Sequence, residues 1–561
     1  MAIGARTLTL EETFLEPGAL EPPPTRHALF ILLLALAAML HLGTAGWGDV
    51  YDGLEGQFAG GAREMLLSQQ WFVPTNDGVP RLDTPPLVYW LIALSYKALG
   101  VTPMAARLPA AIAMIVSVGL TFLIGERLAG YWRGFSAGLI HLCFAGTFLV
   151  GRSATAEPVA SAFIAGAIYC AVCGYQRRPF RRAWFTGFWL CAGLGCLSKG
   201  TIVLVDLAGT LILSAIFFRE ARLRFQSLLH WMYLALFLCL VVPWYVWILK
   251  DLPGLSSMLF VWPGHGGLSR WEFFLLHFAW WFPASILVLP GMLFSIRKIM
   301  RPNEITLADV LPLFWIATGF LPLLVPNHQP VYSSIPLWGA FALWTALVWE
   351  RTPRSLQVAG LSLLFLIGAI LIGLAVTPKL WYGPAAAWIN LRQLVGIAGL
   401  ALGMFAILAL YSAIRQRPEM ALLLALVSMV PVGLCLTEGA SRASSFFSLA
   451  GAARFLNVRL ADGGQVFFDG PLRRASSLAF YLNQPFLLVG QQRFAPEGEN
   501  GAVGNYVTED SFLDGWKSSN PSYLIVDQAR VSHWQAKIIS RAHIFHQVTT
   551  CGHYVVLSNQ L

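Results

Sequence analysis

The chain has 561 residues, of which 57 % are hydrophobic and 12 % charged, with a formal net charge of +9 at pH 7. Soluble domains carry about a quarter charged residues, so the composition excludes an ordinary soluble protein and points to a polytopic membrane protein. The positive charge does not mark a nucleic-acid binder, because it is gathered in short connectors: "QRRPFRR" (176–182), "FREARLRF" (218–225), "RKIMRP" (297–302), "ERTPR" (350–354) and "RQRP" (415–418). Short Lys/Arg-rich loops stay on the cytoplasmic side of a membrane.

In chain order, residues 1–26 read as an acidic, Pro-rich cytoplasmic tail rather than a cleaved signal peptide. A first span is expected at 27–46. The outer segment 47–104 then carries two amphipathic helical stretches, about 53–69 and 86–99, around "VPTNDGVPRLDTPP". Further spans are expected near 105–128, 133–150, 156–175, 183–198, 201–218, 228–249, 273–296, 308–325, 331–349, 356–377, 393–414 and 420–437. That makes about 13 by the length of an apolar helix. Basic connectors inside place the N-terminus in the cytoplasm and the C-terminus outside.

After about residue 440 the composition changes. "GQVFFDG", "PFLLVG" and "SYLIVD" are strand-like runs closed by turn residues, while "RRASSLAFYLNQ" and "RVSHWQAKIISRA" have helical spacing. The expected fold is an all-α polytopic membrane domain over 27–440 and a small α/β domain over 441–561 on the extracytoplasmic face. The eight cysteines have no ligand spacing, and only Cys551 falls in the last region, so no disulfide is expected within it.

The stretch "YDGLEGQFAGGAREML" places Asp52 and Glu55 where the chain leaves the first span. On a helix the i, i+3 spacing puts both carboxylates on one face, and the small residues around them allow close approach. Interfacial charges solvated by headgroup water would give the same pattern. Glu157, in "GRSATAEP", stands at the outer mouth of a span five residues after Arg152, where an ionisable residue is costly; a simple Arg152–Glu157 pair is the plainer alternative. Lys199, in "LSKGT", is a cation on an outer hairpin, against the usual charge bias. "GVPRLDTPPLVYW" adds Arg81 and Asp83 ahead of a Pro-Pro helix entry, with a surface turn as the alternative. Two further outer loops offer His265, Arg270 and Glu272, and then His328 and Tyr332. His265 with Asp83 is a candidate metal pair, although a lone loop histidine is more often a hydrogen-bonding residue. All these candidates fall on the outer side.

Taken together, "GLEGQFAGGAREMLLSQQWFVPTNDGVPRLDTPPLVYW" and "ARLPAAIA" resemble bacterial membrane glycosyltransferases of the GT-C superfamily, in the protein O-mannosyltransferase-like branch that includes the lipid A aminoarabinose transferase. The family pattern is an acidic pair, a "REML" helix, "W-x-x-P", "(D/E)KPP" and "ARLP". The resemblance continues through Glu157, "LSKG", "VVPWY" and "HQPVY", over roughly 47–340. It implies transfer of a sugar, with inversion, from a polyprenyl-phosphate donor in a bacterial inner membrane to a lipid, glycan or protein acceptor at the extracytoplasmic face. Glu55 and Asp52, then Glu157, are the implied catalytic acids; Arg81, Arg152, Lys199, Arg270, His328 and Tyr332 are the implied donor-binding groups. Three positions depart from the pattern: Leu54 replaces the first acid, Thr84 the lysine of "KPP", and His328 a lysine before Pro-x-Tyr. A divalent ion would make up for the missing cations. A glycan ligase, a lipid or solute transporter and a non-catalytic scaffold are the alternatives. A transporter is expected to bury more ionisable groups at mid-span than the few found here, chiefly Asp206.

Overall fold

A computed structural model describes residues 24–176, 181–251, 267–287, 306–377, 389–460, 463–490, 506–542 and 544–560. The expected tail, His265 and the second half of the expected span 273–296 lie outside them. Long apolar runs fold as helices because the hydrocarbon offers no other partner for backbone N–H and C=O groups. The first nine helices are α1 (Pro24–Gly43), α2 (Leu54–Ser68), α3 (Leu87–Leu99), α4 (Pro103–Ala129), α5 (Tyr131–Leu142), α6 (Ala145–Leu149), α7 (Ala156–Gln176), α8 (Arg181–Lys199) and α9 (Ile202–Phe217). Among the described residues seven helices are long and apolar enough to cross a membrane, and four more apolar helices are shorter. The chain is a multi-pass membrane protein.

Helix α7 is the most enclosed of the seven, packed along α4, α8 and α9, whereas Trp231–Asp251 lies at the periphery. Arg354–Val376 and Arg392–Ile414 pack along each other at glycines. A Cβ on Gly368 would meet the Gly403 nitrogen at 2.7 Å and the Gly399 carbonyl oxygen at 2.9 Å, so only small residues permit this approach. Two expected spans are broken, 133–150 and 273–296, the latter where its helix Arg270–Trp280 ends. The run 133–150 divides at Cys143–Phe144, where the chain turns extended and the Ala145 amide bonds the Phe282 carbonyl. This break delivers residues 147–155 to the N-terminal end of α7. The run 420–437 forms one apolar helix, Pro418–Phe446, with helical backbone carried through Ser428.

Between α1 and α4, α2 and α3 lie either side of a two-strand hairpin, β1 (Thr75–Asn76) and β2 (Val79–Pro80). Asp77 and Gly78 both have positive φ, the requirement of a two-residue turn with left-handed central positions. A second short pair joins β3 (Leu268–Ser269) to β4 (His328–Gln329).

Beyond Leu449 the chain forms one six-stranded sheet. Its strands are β5 (Gln465–Phe468), β6 (Leu487–Val489), β7 (Tyr506–Val507), β8 (Ser522–Asp527), β9 (His546–Cys551) and β10 (Tyr554–Ser558), in the order β7-β6-β5-β8-β10-β9. The first four are parallel, and β10 runs antiparallel to both β8 and β9. Separate apolar clusters cover the two faces, one around Leu456, Phe468 and Leu478, the other around Phe512, Trp516 and Trp534. The runs read as strands in the sequence are β5, β6 and β8. Helix Ser476–Tyr481 of this unit packs on α2.

Candidate active site

The approach to α2 is built from backbone contacts. Helix α2 begins at Leu54, after Gly53 in a positive-φ conformation, so Asp52 precedes the helix and does not share a helical face with Glu55. Asp52 instead accepts a 2.8 Å hydrogen bond from the Ser477 amide, and its own amide donates to the Phe447 carbonyl at 2.7 Å. Its carboxylate therefore clamps the C-terminal sheet unit to α2. Burial pushes the Asp52 carboxyl up from 3.8 to about 7, against the opposing pull of the Ser477 hydrogen bonds. The folded chain thus holds this proton more tightly than the unfolded one, so the contribution favours the fold below about pH 4 and is lost as pH rises through about 7. The melting temperature of the wild type relative to Asp52→Asn should fall between pH 5 and pH 8. A constant difference across that range would remove Asp52 from this role.

Glu55, expected as the general base, is fully buried, at 0 % exposure beside Arg107 at 1 %. Oε1 accepts from Arg107 Nε at 2.8 Å and the Ala154 amide at 3.2 Å; Oε2 accepts from Arg107 Nη2 at 3.1 Å and the Tyr51 amide at 3.0 Å. Burial alone would raise its pKa, but the Arg107 charge and hydrogen bonds hold it below the usual carboxylate value. Four donors on a depressed carboxylate leave no basic lone pair for a substrate. Glu55 is a staple rather than a base. Arg107 had no role assigned from sequence, although it is the arginine of "ARLP"; its other contacts are the carbonyls of Ala45, Trp47, Gly48 and Asp49.

Glu157, in the first turn of α7, is 6 % exposed and lies 3.6 Å from the Lys199 ammonium through Oε1. Its Oε2 is buried and has no hydrogen-bond partner among the described residues. The Arg152–Glu157 pair that spacing allowed does not form: Arg152 is buried and donates to the Thr44 carbonyl. Lys199 also donates to the Ser333 carbonyl at 3.2 Å. Lys199, Ser333 and the buried carboxylate of Asp206 line one small cavity with Ile164, Val203 and Leu337. Lys199 is thus an internal counter-ion to Glu157 rather than a surface cation.

Tyr332 ties these groups into one place. Burial raises its phenol well above the ordinary value, and the charges of Glu55 and Glu157 add to that effect while Ser153 opposes it. The two carboxylates lie in one buried neighbourhood: the Ala154 amide that donates to Glu55 Oε1 at 3.2 Å is three residues before Glu157. The other candidates stand around it. Arg81 holds Asp83 in a two-point ion pair, Nε to Oδ1 at 3.0 Å and Nη2 to Oδ2 at 2.6 Å. Arg270 caps the β3–β4 pair, donating to the Val325 carbonyl and Asn327 Oδ1, each at 3.2 Å. His328 pairs with Ser269 in that ladder and is exposed.

The metal reading does not fit the described residues. Among them no group of three or more His, Cys, Asp or Glu side chains is gathered as a ligand set. Asp83, one half of the candidate pair, has both oxygens on Arg81, and His265 lies outside the described residues.

In the helical multi-pass bundle the segment between α1 and α4 closes over buried carboxylates, and the sheet unit docks on that segment. The chain is similar to ArnT from Cupriavidus metallidurans. The crystal structure of that protein bound to undecaprenyl phosphate aligns with 95 % of this chain and 98 % of its own, at a TM-score of 0.79 and 18 % identity. Residues 83–247 match the family model for dolichyl-phosphate-mannose-protein mannosyltransferase. A 178-residue stretch is 27 % identical to undecaprenyl phosphate-α-4-amino-4-deoxy-L-arabinose arabinosyl transferase 2 of Sodalis glossinidius, covering 31 % of this chain and 32 % of that protein. The corresponding arabinosyl transferase of Pseudomonas savastanoi pv. phaseolicola is 32 % identical over 127 residues, 22 % of this chain and 23 % of its own. The chain matches these curated relatives over about a third of their length or less.

Proposed function

We propose that the chain is an integral-membrane, inverting glycosyltransferase. It takes a sugar from a polyprenyl-phosphate donor and passes it to a lipid, glycan or protein acceptor at the extracytoplasmic face of a bacterial inner membrane. The acceptor oxygen attacks the anomeric carbon as the bond from that carbon to the phosphate oxygen breaks, and the electron pair leaves on the lipid phosphate. A hydroxyl acceptor must lose its proton during the attack. Glu157 is the group that receives it, because its Oε2 is a buried carboxylate oxygen with no donor among the described residues. That oxygen carries the reading: the other acid at the site, Glu55, has four donors.

The lipid phosphate leaves with a second negative charge, which cations must stabilise in a low-dielectric setting. Arg81, beside the β1–β2 hairpin, and Arg270, at the β3–β4 pair, are the arginines assigned to it, and Lys199 acts from within by balancing Glu157. About 13 crossings, with the N-terminus cytoplasmic and the sheet unit outside, place the site at the outer leaflet, where a polyprenyl lipid can enter sideways. A transporter would place its binding residues at mid-membrane; here most of the converging charges lie at helix ends.

The reading is tested by reconstituting the purified chain in nanodiscs with a panel of undecaprenyl-phosphate-linked sugars and scoring free undecaprenyl phosphate. Time-dependent release from at least one donor, stimulated by an acceptor lipid extract, is the expected result. No release from any donor would sink the proposal.

A further inference from the structure

We propose that Asp206, on α9, is a positioning residue for the transfer: it is a second counter-ion to Lys199 and holds that ammonium when Glu157 takes up a proton. The inference rests on the transferase reading above, with Glu157 as its base. In "LSKGTIVLVDL" Lys199 closes α8, Gly200 turns the chain at a φ of 84°, and Asp206 follows in the second turn of α9. It is the one charged residue of that helix, whose other positions are apolar, small or hydroxyl-bearing. A charge in such a place is costly and marks function by default. Asp206 is 5 % exposed. Its Oδ1 would stand 3.0 Å from a Cβ on Gly319, so the carboxylate faces helix Leu307–Leu323. The hydroxyls nearby serve the main chain instead: Thr210 and Thr318 both donate to the Asp206 carbonyl, at 2.6 and 3.3 Å. Oδ1 has no hydrogen-bond partner among the described residues.

Asp206 and Lys199 line one cavity of about 10 Å³, the size of a single water, and among the described residues no other titratable group lines it. An ammonium has three donors. One goes to the Ser333 carbonyl at 3.2 Å, and the 3.6 Å approach to Glu157 Oε1 is an ion pair longer than a hydrogen bond. Donor capacity is left for Asp206, through one water or a small shift of the flexible lysine stem. One cation thus stands against two buried acids, from α7 and α9. With both ionised the trio carries one net negative charge, and a proton on Glu157 makes it neutral. The transfer creates that state: the proton of the acceptor hydroxyl passes to Glu157 Oε2 while the oxygen's electron pair forms the bond to the anomeric carbon. Lys199 then loses the charge it faced, and a buried cation without a partner is strongly disfavoured. Asp206 supplies the replacement charge as Glu157 becomes neutral.

The test uses the full chain in nanodiscs with an undecaprenyl-phosphate-linked sugar that the wild type turns over, and reads single-turnover transfer to a hydroxyl acceptor. D206N, equal in size, is expected to slow transfer about tenfold, within the range for interacting neighbours, with binding of undecaprenyl phosphate unchanged. D206E, which keeps the charge, should recover part of the rate. In a K199M background D206N should slow transfer no further, because Asp206 acts through that lysine; a packing role would lower the rate equally in both backgrounds. If D206N melts early, D206L, apolar like the cavity wall around it, carries the same comparison. Wild-type rate in D206N, or an equal fold-loss with and without Lys199, overturns this inference alone. A wild-type chain that transfers no sugar from any donor overturns it together with the transferase reading.

Discussion

Glu157→Gln is expected to lower the rate of transfer to a hydroxyl acceptor by about 10²- to 10⁴-fold, the usual contribution of a general base. The amide keeps the size of the side chain and can still accept from Lys199, so the donor KM and the melting temperature should change little. Its oxygen, however, is far too weak a base to take a proton. Glu157→Asp should fall between the two, because it keeps the charge but withdraws the carboxylate by one methylene from the place where the acceptor must stand. The measurement is single-turnover transfer with donor preloaded, which separates chemistry from product release. Full rate in Glu157→Gln with a hydroxyl acceptor would end the assignment. Lys199 gives a companion reading: it contacts the same carboxylate at 3.6 Å and touches no rim residue in the described contacts, so Lys199→Met should disturb rate more than donor affinity.

Removing Arg107 should have the largest effect on stability. Its guanidinium makes two hydrogen bonds to Glu55 and four to the carbonyls of Ala45, Trp47, Gly48 and Asp49. Arg107→Met leaves a buried carboxylate uncompensated and those carbonyls without this donor, for an expected loss of about 3–5 kcal/mol. Glu55→Gln should shift stability in the same direction, since it leaves the guanidinium buried beside a neutral group. Thermal unfolding followed by size-exclusion fluorescence in detergent reads both variants. The same experiment discriminates between roles for Glu55. If Glu55→Gln melts like the wild type yet transfers no sugar, Glu55 is the base after all and the staple assignment fails.

Much of the scaffold was readable because the signals are strong and local. An apolar run of about 20 residues has one low-energy solution in a bilayer, and apart from 133–150 and 273–296 the expected spans reappear as helices within a few residues of their expected ends. Asp77-Gly78, inside "TNDGVP", carries its own turn geometry. The break at Cys143–Phe144 was not readable, because it answers to a partner elsewhere, the Phe282 carbonyl that receives the Ala145 amide. Strands β9 and β10 were also missed: "HQVTTC" and "YVVLS" gain their assignment from pairing with each other and with β8.

The site divides along the same line. The residue types were in the primary structure: Glu55, Glu157, Lys199, Tyr332 and the arginine before "LDTPP". Their roles were not, because a carboxylate's chemistry depends on how many donors its oxygens already have. Glu55 and Glu157 look alike as letters at helix starts. One meets Arg107 and two amides; the other meets a single lysine and keeps an oxygen without a donor. Sequence by itself determined a multi-pass helical protein, since hydropathy and charge act residue by residue. Only the tertiary structure decided which acid is held by four donors and which keeps an oxygen without one among the described residues, because hydrogen bonding and burial belong to neighbours that the chain brings together only on folding.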